Sequence, residues 1–167
     1  MALEVEDGTG KSTAESYISV ADASAYHTAR GNAAWAALAS DTVREQCLRK
    51  ATDYMEQVYR SCWQGCRVGE TQALSWPRYS VVVEGYLVDD ASVPEIVKRA
   101  CAELALKASA ADLAPDLTQG VVREQVGPIA VEYDKNSPQA TRYKAIDAML
   151  APFLTSGGGC SVRLERS

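Results

Sequence analysis

The chain has a single histidine, His27, among its 167 residues. Any Ser-His-Asp or Cys-His system would have to be built around it, and no G-x-S-x-G string offers a nucleophile elbow. A lone histidine at helical spacing reads first as a packing or capping residue. The five cysteines, Cys47, Cys62, Cys66, Cys101 and Cys160, are odd in number and scattered, which argues against a disulfide framework. Cys62 and Cys66 form C-x-x-x-C without a second pair or a nearby histidine, so the four ligands of a zinc knuckle are lacking. Buried or incidental thiols are expected. No apolar run is long enough to span a bilayer, and "MALEVED" is acidic where a secretory leader would be basic. A cytoplasmic protein is therefore expected. Positive charge is also in deficit: the net charge is −5, so the chain as a whole repels phosphate backbones. Contact with DNA needs a local patch.

Also missing is one glycine. "VEDGTGKST", residues 5 to 13, ends like a phosphate-binding loop, but G-x-x-x-x-G-K-[ST] requires a glycine where Val5 stands. Gly8 is out of register. Neither the short acidic segment before the string nor "AESYIS" after it supplies the strand-loop-helix setting that cradles phosphates. The string reads as a polar N-terminal arm.

What is present is mostly helical in period. Ser19, with Asp22 three residues on, caps a helix that runs to Arg30 and stops at Gly31. Val20, Ala23, Tyr26 and His27 line one side of it. "NAAWAALA" is a short helix holding Trp35. Ser40 or Asp41 caps the strongest helix, with Val43, Cys47, Leu48, Ala51, Met55 and Tyr59 inward. Its other face, dense in Arg44, Glu45, Arg49, Lys50, Asp53, Glu56 and Arg60, reads as solvated or subunit-facing. Ser92-Val93-Pro94-Glu95 reads as a capping box opening another long helix, with Ile96, Val97, Ala100, Cys101, Leu104, Ala105 and Ala108 inward. A last helix is expected from Ser137-Pro138 to Phe153.

Between these helices the composition changes twice. Val81–Val83 and Tyr86–Val88 flank Glu84-Gly85, a two-residue hairpin turn. "VVREQVGPIAVEYD" is a second hairpin candidate turning at Gly127-Pro128. Trp63, Trp76 and Tyr79 with Arg60, Arg67 and Arg78 would form an aromatic and basic surface, able to stack bases or to anchor a protein partner; the equal alternative is that the aromatic residues cover the end of a small core. The fold expected is mainly α: a bundle of four to five helices with two β-hairpin excursions over residues 1–155, then a glycine-hinged tail at 156–167. No catalytic, cofactor or metal site is expected, and the chain reads as no enzyme.

The blocks "VEDGTG", "SYIS", "LRKATDYMEQVYR", "QALSWPR", "VPEIVKRACAELAL" and "REQVGPIAVEYD" together resemble a family of tailed-phage and prophage proteins. That family carries a DnaT-like single-stranded-DNA-binding label. It is also similar to the head–tail connector, or head-completion adaptor, proteins of long-tailed phages. Of the two functions the resemblance implies, the acidic balance favours the connector, since like charge repels DNA within a Debye length of roughly 8 Å. On that reading the chain is a phage neck protein of the virion, made in the host cytoplasm. It would form a dodecameric ring with itself, bind the portal protein and the next neck or tail-completion protein, and let DNA pass without specific binding. Trp63, Arg67, Trp76, Arg78 and Tyr79 are its expected interface residues, and Val162, Arg163 and Leu164 its expected portal-docking tail. The alternative is a single-stranded-DNA-binding protein of phage replication.

Overall fold

The first and the longest helix begin where their serine caps place them. The computed structural model describes residues 2–115, 123–126, 129–132 and 141–155. Helix α1 spans Val20–Ala29; the Ser19 side chain accepts from the Asp22 amide, and Gly31 follows with φ of 69°. After a short α2 (Ala33–Ala36), Ser40 caps α3 (Asp41–Tyr59) by accepting from Val43 N–H. Helix α4 spans Glu95–Ala108, and α5 spans Lys144–Leu150, running into a 3-10 turn at Ala151–Phe153.

Two boundary expectations are corrected. Pro94, not Ser92, is the N-cap residue of α4, and no side chain caps it. The Pro94 carbonyl instead accepts from Val97 and Lys98 N–H, while Ser92 is engaged by Asp89. Tyr143 is the N-cap of α5, so this helix starts seven residues after Ser137; residues 133–140 lie outside the described residues.

The core is a slab between α3 and α4, with α1 laid against both and α5 against α4. Leu48, Ala51 and Met55 of α3 meet Val97, Ala100, Cys101, Leu104 and Ala105 of α4, all of them fully buried. The small residues of α4 let the two helices approach closely. Each large side chain so buried contributes about 1.5–3 kcal/mol. Ile96 is exposed rather than inward, a correction to the periodic reading of α4.

Among the described residues, three two-stranded antiparallel ladders complete the fold. β1 (Cys66–Arg67) pairs with β2 (Arg78–Tyr79), closing the loop that holds "QALSWP". β3 (Val82–Val83) and β4 (Tyr86–Leu87) form the expected hairpin over Glu84-Gly85, both residues at positive φ as a type I′ turn requires. β5 (Arg123–Val126) pairs with β6 (Ile129–Glu132), Val126 opposite Ile129, while Gly127-Pro128, the expected turn, lies outside the described residues. The architecture is mainly α with two hairpins. The tail at 156–167, including Val162, Arg163 and Leu164, lies outside the described residues.

Candidate nucleic-acid interface

The N-terminal loop fills its own anion site. Glu6 is buried, and its carboxylate accepts from the amides of Gly8, Gly10 and Lys11, each at 2.9 Å. A phosphate would need those same donors. Lys11 turns back onto the Val5 carbonyl (3.0 Å), Asp7 (3.0 Å) and Glu4 (3.6 Å). The string that mimics a phosphate loop is therefore an internally satisfied turn.

The "SYIS" and "QALSWPR" blocks also build scaffold. Tyr17, fully buried, donates to Glu56, and that carboxylate accepts from Ser75 N–H (2.9 Å) and Oγ (2.7 Å). Burial and the Glu56 charge push the Tyr17 hydroxyl well above its ordinary pKa. The Lys11 carbonyl accepts from Ala73, and Gln72 donates to the carbonyls of Leu74 and Pro77. Arg78 donates to the carbonyls of Gln64 (2.7 Å), Ser75 (3.2 Å) and Gly65 (2.7 Å). These bonds tie arm, loop and α3 into one unit.

That placement corrects the expected aromatic and basic surface. Trp63, Trp76 and Arg78 are buried; Trp76 sits edge-on between Trp63 and Phe153. The two indoles cover the end of the core, and the guanidinium caps backbone carbonyls. Arg67 is half-buried and donates to the Gln72 carbonyl; only Tyr79 of the five is exposed. Tyr79 lies near an apolar hairpin that exposes Val82, Tyr86 and Leu87, but Glu84, Asp89 and Asp90 surround it. Those carboxylates repel a nucleic acid backbone.

The charged face of α3 is likewise occupied. Arg44 pairs with Asp41 and donates to the carbonyls of Trp35, Ala36 and Leu38. Arg49 bridges Glu15 and Glu45, and Arg60 approaches Glu56. These charges hold their own chain together.

His27 is a packing residue. Its Nε2 lies 3.1 Å from the Ala102 carbonyl and its Nδ1 3.0 Å from the Asn32 amide, so Nε2 donates and Nδ1 accepts. Burial lowers its pKa. Trp35 packs on its ring at 4.8 Å and donates to Ser24 Oγ. Cys47 and Cys101 are buried free thiols and Cys66 an exposed one, whereas Cys62 is disulfide-bonded, contrary to the expectation of incidental thiols. Among the described residues no group of three or more His, Cys, Asp or Glu is placed to hold a metal ion, and no helix is long and apolar enough to cross a membrane.

The concave surface best suited to an anionic polymer lies between α1 and the first turns of α4. This groove of about 400 Å³ is lined by Tyr26, Arg30, Lys98 and Arg99 together with Ile18, Asp22, Ala25 and Glu95. Three cations face two carboxylates on a chain whose net charge is −5. Asp22 is engaged by Ser19 Oγ at 2.7 Å, and Arg99 meets Glu95 at 3.2 Å. Lys98 and Arg30 have no ion-pair partner among the described residues. The Arg30 guanidinium lies 3.6 Å from the centroid of the Tyr26 ring and donates to the Tyr26 carbonyl. Tyr26 in turn donates to Glu103 at 2.9 Å; burial and that carboxylate raise its pKa. A cleft of about 260 Å³ at Lys50 carries one cation against Asp53 and Asp112, and one of about 210 Å³ at His27 is mainly apolar. The α1–α4 groove alone among these three has a cationic surplus. Sequence reading missed it, although Tyr26 and Arg30, four residues apart on one helix, carried the signal.

The described residues form a small α-rich domain whose α1–α4 groove carries three cations and a tyrosine. The chain belongs to the family described as "Putative DnaT-like ssDNA binding protein", whose model matches residues 1–167. No curated protein and no solved structure matches it. The family match overturns the head–tail connector expectation and supports its single-stranded-DNA-binding alternative. The physical error was to weigh the whole chain's charge. Net charge averages over surfaces that never meet a ligand, and most charges on α3 are spent on each other. The ring, the portal and the neck partners were expected from the connector reading alone, and the family match lends them no support.

Proposed function

We propose that this protein binds single-stranded DNA, without catalysis, through the groove between α1 and α4. The observation that carries the reading is the family match over residues 1–167 together with the Arg30, Lys98, Arg99 and Tyr26 cluster. Single-strand binders combine a cationic track for the backbone with planar groups for the bases. Lys98 and Arg99 supply the first at the N-terminal end of α4, where the helix dipole adds to their attraction. Tyr26 and Arg30 supply the second. The test is fluorescence anisotropy of a labelled oligo(dT) strand at low salt, comparing wild type with the Lys98→Glu/Arg99→Glu variant. Binding by wild type and its loss in the variant are expected. Equal binding by both proteins would place the interface elsewhere, and no binding by wild type would reject the function.

A further inference from the structure

The groove contains one arrangement that a purely electrostatic site would not need. We infer that Arg30, held flat on Tyr26, is the platform on which an unpaired base stacks, so that the groove reads bases as well as phosphates; this rests on the single-strand reading above. At 3.6 Å from the ring centroid the guanidinium carbon is in van der Waals contact with the ring face. A second tether, from Arg30 Nη1 to the Tyr26 carbonyl at 3.2 Å, fixes the group over that face. The ring itself is anchored by its hydroxyl to Glu103 and by edge contact with His27 (5.3 Å). Arg30 is exposed and has no carboxylate partner among the described residues. Its central carbon therefore rests over the tyrosine ring while the residue lines the groove. Guanidinium planes stack on unpaired bases as aromatic rings do, and a cation sandwiched between two π faces gains from both. Lys98 has neither plane nor tether and contributes point charge for the backbone.

The inference separates base contact from phosphate contact. Two strands of about ten nucleotides, within the usual site size of such modules, are compared by anisotropy at low salt: oligo(dT) and a strand of equal length carrying abasic sites. Wild type is expected to prefer oligo(dT) by roughly fivefold or more, stacking being worth at least that. Arg30→Lys keeps the charge and removes the plane, so it should bind both strands alike. Lys98→Ala should weaken both strands equally and keep the preference. Tyr26→Phe, which keeps the ring, should behave as wild type, and circular dichroism melts confirm that each variant is folded. If Arg30→Lys retains the full preference, or if wild type shows none while still binding oligo(dT), the platform is wrong and the single-strand function stands. If wild type binds neither strand, both fail.

Discussion

Glu6 and Lys11 exchange the importance that the sequence suggests for them. Lysine in a "GKS" string draws attention, yet Lys11 makes partly exposed pairs with Asp7 and Glu4, of a kind worth about 0.2–1 kcal/mol each. Glu6, an unremarked acid, satisfies three amides from a buried position, and hydrogen bonds to a charged group are worth about 1.5–3 kcal/mol. Glu6→Ala should therefore cost about 3 kcal/mol or more in urea unfolding, Glu6→Gln less, and Lys11→Ala least of the three. The order of the three, read from denaturation midpoints, is the check. His27 gives a second prediction at this scale. Its pKa is lowered by burial and by Arg30, against the opposing pull of the Ala102 carbonyl and Glu103. A group with a depressed folded pKa gives stability that is complete above the ordinary value of 6.5 and is lost as the pH falls through its folded value. Asp7, held at about 2 by Thr9 and Lys11, and Glu15, lowered by Arg49, titrate below that window. Asp53, raised by burial and by Glu56, acts with the opposite sign. The melting temperature of wild type should fall between about pH 7.5 and pH 5.5, and that of His27→Gln should fall less over the same span.

Helices and hairpins were legible because their signals are local. Ser19 and Ser40 cap their own helices, Gly31 stops one, and Glu84-Gly85 closes a hairpin through positive φ at both residues. Trp63, Trp76 and Arg78 were left between a surface and a core role because their fate is decided by distant partners: Phe153 for Trp76, the Gln64 and Gly65 carbonyls for Arg78. A tryptophan beside an arginine reads the same in sequence whether it faces solvent or a core. The glycines of these elements test how tightly they close. A Cβ on Gly65 would stand 2.1 Å from the Tyr79 carbonyl oxygen, and one on Gly8 2.0 Å from that of Ala91. A Cβ on Gly85 meets nothing within 4 Å. Gly85→Ala should cost only the left-handed backbone penalty, about 1–2 kcal/mol. Gly65→Ala and Gly8→Ala should cost clearly more, because backbone must move in both; thermal melts of the three variants would show the gap. Equal costs would mean that the arm and the β1–β2 ladder give way without resistance.

At the scale of the whole molecule, an acidic protein with a small cationic groove makes a quantitative demand on its own function. Each phosphate neutralised on a single strand contributes about −0.7 to the slope of log affinity against log salt. Arg30, Lys98 and Arg99 are the cations available, and Arg99 already shares Glu95, so two to three contacts are the ceiling. The slope should then lie near −1.4 to −2 by that rule, and affinity should drop roughly tenfold between about 50 and 200 mM salt. On the proposed function, the net charge of −5 should repel the rest of the strand and keep association slow and binding weak at physiological salt. This is why the groove could not be found from composition: three cations brought together from α1 and α4 do not move a sum over 167 residues. A titration across that salt range separates the possibilities. A slope near −2 that falls to about −0.7 in Lys98→Ala/Arg99→Ala assigns the backbone contacts to α4. A slope of −5 or steeper would require about seven contacts, more cations than the groove holds, and would move the interface to another face of the molecule.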